Sequence, residues 1–162
     1  MKKLFISLIL SLIFIPGAFG QHDRHHEENN EMVEIINHYL SIKDALIESN
    51  PGAAALLADV LYNKVKDLTT DELKNGVLIT RHADRIRSST NLNMQRIALN
   101  GLTLALIETL KDYGETGSTL YQQYCSMALG DGGMWLSVSE KINNPYYGQD
   151  MLMCGETVDT FN

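Results

Sequence analysis

The stretch NLNMQRIALNGLTLALIETLKDYG, Asn91 to Gly114, decides the fold. Its middle, IALNGLTLALIETL (Ile97 to Leu110), is apolar almost all round when wound into a helix. A helix with one oily stripe lies on a core, whereas one that is oily on every side sits within it. Ser88-Ser89-Thr90-Asn91 breaks the chain before this stretch and Gly114 can stop the helix after it, so the pattern predicts a central helix over about 91–113.

Three further helices precede it. Met32, Ile35, Ile36, Tyr39, Ile42 and Leu46 recur at helical spacing over about 31–49. Asn50-Pro51 closes that segment and opens the next, with Asn50 as N-cap and Pro51 at the first helical position. Ala54, Leu57, Val60, Leu61 and Val65 line the second helix. Thr69 and Thr70 offer caps for a third, with Asp71 and Glu72 in its first turn, where the helix dipole favours acid. Four helices with short connections predict an all-α domain, an antiparallel up-and-down four-helix bundle.

After Gly114 the pattern changes. Residues 115–162 are rich in glycine, and their apolar pieces (LYQQYCSMA, MWLSV, MLMC) are short. They read as an irregular tail of loops, with up to two short strands, packed back on the bundle. Asn144-Pro145-Tyr146-Tyr147-Gly148 is a turn signal, with Pro145 fixing its φ.

The beginning of the chain has the layout of a secretory signal peptide over 1–20. Lys2 and Lys3 precede an apolar run from Leu4 to Ile15, Pro16-Gly17 breaks it, and Ala18-Phe19-Gly20 resembles a cleavage site. The run is shorter than the roughly 20 residues of a membrane span, so the expectation is a periplasmic or secreted protein with no membrane insertion after cleavage. Residues 21–30, QHDRHHEENN, read as a flexible polar lead-in whose His22, His25 and His26 would gather a metal only loosely. A single domain then spans 31–162. Removing Lys2 and Lys3 leaves 11 basic residues against 20 acidic ones, a balance that repels nucleic acid and anionic lipid.

The tail also concentrates sulfur. Cys125, Met127, Met134, Met151, Met153 and Cys154 place six of the chain's nine sulfurs within 30 residues. Two readings compete. Two cysteines in an exported chain commonly form a disulfide, with methionine as flexible packing, and composition alone points there first. Thiolates and thioethers are also soft donors that select Cu(I) and its relatives, so Cys125 and Cys154, then Met127, Met151 and Met153, form a candidate metal site. Trp135, Tyr146 and Tyr147 would shield it. His82, among Leu78, Ile79 and Ile86 on the third helix, is an outside candidate ligand. No nucleophile–base set, His-Glu-x-x-His motif or phosphate-binding loop is visible, so the expectation is a binding protein rather than an enzyme.

The tail carries a resemblance. Tyr124-Cys125-Ser126-Met127-Ala128, Trp135-Leu136-Ser137, Asn144-Pro145-Tyr146-Tyr147-Gly148 and Met151-Leu152-Met153-Cys154-Gly155 resemble motifs of the bacterial exported family catalogued as domain of unknown function 3347, and YLSIKDALIES (Tyr39–Ser49) resembles its opening stretch. Members of that family also occur joined to periplasmic adaptor subunits of heavy-metal efflux systems. The resemblance therefore implies copper or a related ion, with an efflux adaptor or another envelope protein as partner. Ser126 departs from the family's usual proline, which would stiffen the spacing from Cys125 to Met127.

Overall fold

The computed structural model describes residues 22–68, 72–113 and 116–162, with side chains from residue 31 onward. The expected signal peptide, the Thr69-Thr70-Asp71 start of the third helix and the Gly114 stop lie outside the described residues. The elements run α1 (His22–Ile47), α2 (Pro51–Val65), α3 (Gly76–Arg87), α4 (Leu92–Leu110), β1 (Leu120–Cys125), β2 (Gly133–Ser137), a 3-10 turn (Gly148–Asp150) and β3 (Glu156–Phe161).

Each helix packs on the next in sequence, α1 on α2, α2 on α3 and α3 on α4. All six residues expected to line α1 are buried. Burying an aliphatic or aromatic side chain of this size is worth about 1.5–3 kcal/mol, so this face alone commits α1 to the core. The Asn50 cap forms as expected, its Oδ1 accepting from the Ala53 amide at 3.0 Å. Asn91 caps α4 in the same way through Met94.

Three expectations are corrected. Val60 is 48% exposed, and Ala58 occupies the buried position instead, because the α2 stripe runs Ala54, Ala58, Leu61, Val65. The third helix starts at Gly76, after Asn75 takes a left-handed φ of 59°, so Glu72 lies in a turn ahead of the helix rather than in its first turn. And α4 is not wholly enclosed, since Met94, Ile97 and Leu104 are exposed.

The tail holds more regular structure than expected: a three-stranded antiparallel sheet of order β2-β1-β3. Cys125 pairs with Gly133 across β1–β2, and Tyr124 with Glu156 across β1–β3. A bulge at Gln122/Gln123 interrupts the second ladder. From Glu156 to Thr160 every side chain of β3 is exposed. A strand exposed on both faces needs no apolar alternation, which is why the sequence pattern missed it.

Buried polar groups join sheet to bundle. Thr103 Oγ1 donates to the Leu99 carbonyl, so the Tyr39 hydroxyl donates to Thr103 (2.8 Å) and accepts from the Leu136 amide (3.0 Å). Asn100 Oδ1 accepts from the Met134 amide at 2.9 Å. Burial raises the Tyr39 phenol to a pKa of about 12, so it stays neutral and able to donate.

Candidate functional site: the cysteine pair and its turn

Cys125 ends β1 and Cys154 lies just before β3. The two form a disulfide across 29 residues, with Cα atoms 5.9 Å apart. Cys125 is 1% exposed, whereas Cys154 is half-buried. An open cavity of about 240 Å³ adjoins the pair, lined by Tyr124, Cys125, Ser126, Cys154, Gly155 and Glu156. One sulfur is therefore anchored in the core and the other lies nearer solvent.

Asn144 holds this corner together. It is fully buried, and its side-chain amide donates to the Cys154 carbonyl at 2.8 Å. Its Oδ1 accepts from the amides of Tyr146 (2.7 Å) and Tyr147 (3.3 Å), closing the turn on itself. Its backbone amide donates to the Leu152 carbonyl. One asparagine thus fixes both the turn and the Met151–Cys154 segment.

The turn is seated on the bundle by Arg96 of α4. Its Nε donates to the Pro145 carbonyl at 2.8 Å, and one terminal nitrogen reaches Ser49 Oγ (3.1 Å) and the Leu46 carbonyl (3.3 Å). That carbonyl belongs to the C-terminal turn of α1, where the helix dipole favours a cation. Burial lowers the Arg96 pKa from its usual value, with Asp150 opposing the effect. Gly148 has a φ of 57°, and a Cβ there would lie 2.8 Å from the Ile47 carbonyl oxygen, so this step of the turn requires glycine.

The aromatic residues divide in role. Trp135 is fully buried, with Tyr146 edge-on at 6.0 Å. The Tyr146 hydroxyl donates to the Met134 carbonyl, and burial raises its pKa well above the ordinary phenol value. Trp135 also lies under Gly155, where a Cβ would meet its ring at 2.7 Å, so it backs the Cys154 segment. The Tyr147 hydroxyl donates to the Met127 carbonyl at 2.6 Å and ties the turn to the loop after β1.

Three of the tail's four methionines are exposed rather than core filler, and the fourth, Met134, packs partly buried against the core. Met127 (53%), Met151 (39%) and Met153 (65%) are exposed, although none lines the cavity beside the cysteines. The Met151 carbonyl accepts from the Cys154 amide at 3.1 Å, so these thioethers belong to the same pinned segments as the cysteines. His82 stands elsewhere. Its ring fills the space a side chain would occupy at Gly101 of α4, where a Cβ would lie 2.1 Å from Cε1. Its buried Nδ1 has no hydrogen-bond partner, and its pKa is lowered by burial, then by Arg85 and Arg81. It is a packing residue between α3 and α4.

Arg96, Asn100 and Thr103 are positioning residues that the sequence analysis missed, and Tyr39, expected only as part of the apolar face of α1, joins them through its hydroxyl. The first three carried a signal: polar side chains in or beside the apolar run 97–110, where an unpaired buried polar group would be costly.

The family described as Protein of unknown function (DUF3347) matches residues 35–118. The chain belongs to this family. The match spans the second half of α1 and all of α2, α3 and α4, and ends before β1. This DUF3347 member thus carries its cysteine pair and turn beyond the matched segment. No curated protein and no solved structure matches the chain. Among its described residues no helix is long and apolar enough to cross a membrane.

Proposed function

We propose that this DUF3347 protein is an exported, non-enzymatic capture protein for a soft metal ion, Cu(I) or a close relative, and that its principal donors are Cys125 and Cys154 in their reduced state. The observation that carries the reading is the pairing itself. Two cysteines from distant points of the tail meet beside an open cavity that also holds Glu156, with Cys154 half-buried rather than sealed in.

A dithiol partner reduces the disulfide: it gives up two electrons and two protons, becomes a disulfide itself, and leaves two thiols. The ion then displaces the thiol protons, since the thiolate is the ligand form. Among the described residues no group of three or more His, Cys, Asp and Glu side chains could hold a metal. The proposed donor set is sulfur, which suits an ion content with two or three soft ligands. The exposed thioethers of Met127, Met151 and Met153 are the candidates for a third. Asn144 and Trp135 hold the Cys154 segment in register, and His82 has no part. The ion would be buffered or handed to a heavy-metal efflux partner, the setting that the family resemblance implies. We also read the helices as an antiparallel up-and-down bundle, which supports the tail on one side; sequential helix packing and the facing of Ile86 with Gln95 and of Asn75 with Thr109 favour it.

A second reading has its own support. The disulfide and the exposed apolar residues of α4 suit a stapled interaction module that needs no metal. Competition of the reduced protein with a chromophoric Cu(I) chelator separates the two. Metal capture predicts one equivalent bound, lost in Cys125→Ser and in Cys154→Ser, and weakened by Met127→Leu or Met153→Leu. Serine variants that bind as well as the parent would leave the module reading in place.

A further inference from the structure

The two halves of the disulfide are not equivalent. Cys125 is 1% exposed and ends β1, the central strand, where it pairs with Gly133 of β2. Cys154 is half-buried, in the segment between the turn and β3. The open cavity of about 240 Å³ lies beside both. A reagent that reaches the bond in the folded protein therefore meets Cys154, because Cys125 is sealed.

Both cysteines also stay tied when the bond is open. The Cys125 carbonyl accepts from the Ala128 amide at 3.2 Å. The Cys154 amide donates to the Met151 carbonyl at 3.1 Å, and the Cys154 carbonyl accepts from the buried Asn144 side chain at 2.8 Å. Trp135 backs the same segment under Gly155. None of these contacts runs through sulfur. They keep Cys154 presented and Cys125 behind it, so the bond can open and close again without unfolding the bundle.

We propose that this corner is a thiol–disulfide exchange site with a fixed direction: Cys154 is the sulfur attacked by an incoming thiolate, and Cys125 is the leaving sulfur. The attacking, attacked and leaving sulfurs lie in line during exchange, so attack at Cys154 comes from the open side and attack at Cys125 would have to come through the core. The incoming thiolate bonds to Cys154 Sγ. The Cys125–Cys154 bond breaks, its electron pair leaves on Cys125 Sγ, and that sulfur takes a proton. When the reagent is a dithiol, its second thiolate attacks its own sulfur in the mixed disulfide, and the electron pair leaves on Cys154 Sγ, which is protonated in turn. The reagent ends as a disulfide and the protein as two thiols, two electrons and two protons having passed. The partner class is thus a dithiol protein with an exposed nucleophilic cysteine. This exchange would supply the reduced pair that metal capture needs, but it rests on the unequal burial of the two sulfurs and involves no metal.

The test uses the mature, oxidised chain and millimolar reduced glutathione as the thiol. The reaction is quenched with acid, free thiols are alkylated, and the peptides carrying each cysteine are identified by mass. The expected result is glutathione on Cys154 with alkylated Cys125, in excess of the reverse pattern by about tenfold. In urea both sulfurs are exposed and the excess should vanish. Glutathione mainly on Cys125, equal labelling of the two, or no adduct until urea is added would overturn the proposal. So would an excess that survives in urea, since it would then come from the local sequence and not from burial. No metal enters the experiment, so failure of Cu(I) capture and failure of the exchange direction are read separately.

Discussion

Reducing the Cys125–Cys154 bond removes a crosslink that spans 29 residues. Loop-closure entropy values such a crosslink at about 3–4 kcal/mol. In a chain of this size that corresponds to a fall in Tm of about 10 °C. The loss should be uneven. β3 exposes nearly all its side chains, so little beyond its ladder with β1 and the staple keeps it in place. The bundle has its own core, and the turn keeps Asn144 and Arg96. Hydrogen exchange of the β3 amides should therefore accelerate most on reduction, while α1 and α4 amides follow the smaller global loss. The assay is a thermal melt and an exchange time course on one sample with and without a dithiol, which avoids burying a serine at Cys125. A Tm change under about 2 °C with β3 protection intact would refute the view that the staple holds this strand.

Tyr39→Phe removes the acceptor of the buried Leu136 amide and should cost about 1–3 kcal/mol, read from the urea midpoint; an unmoved midpoint would count against Tyr39 as the tie between sheet and bundle. Gly101→Ala drives a methyl into the His82 ring and should lower stability despite alanine's better helix propensity, and His82→Ala in the same chain should recover part of the loss. Because burial and then Arg85 and Arg81 lower the His82 pKa, the unfolded chain binds more protons than the native one just below the ordinary imidazole value of about 6.5. Stability should therefore fall as pH drops through that window, and denaturant titrations of His82→Gln should show a shallower fall.

The helices were legible because burial imposes a period. Met32 to Leu46 repeat at helical spacing because that face of α1 is fully covered, and the Asn50-Pro51 and Asn91 caps announce themselves chemically. The start of α3 was not legible, since an isolated left-handed Asn75 leaves no periodic trace. β3 was not legible because nothing covers it. The turn 144–148 was readable as a turn. That its asparagine would also hold the Cys154 carbonyl depends on contacts ten residues away along the chain. The two cysteines were legible as a pair. The exposure of Met127, Met151 and Met153 was not, because methionine serves core and surface alike. His82 fitted an apolar face, and only the missing side chain of Gly101 opposite it explains why.

The most direct test of soft-metal capture is one paired titration of the mature protein with Cu(I) against a chromophoric chelator, first as the disulfide and then after reduction by a dithiol that is removed anaerobically. The account predicts no competitive binding in the oxidised form and one tightly held equivalent in the reduced form. No binding in the reduced form, or equal binding in both, would contradict it.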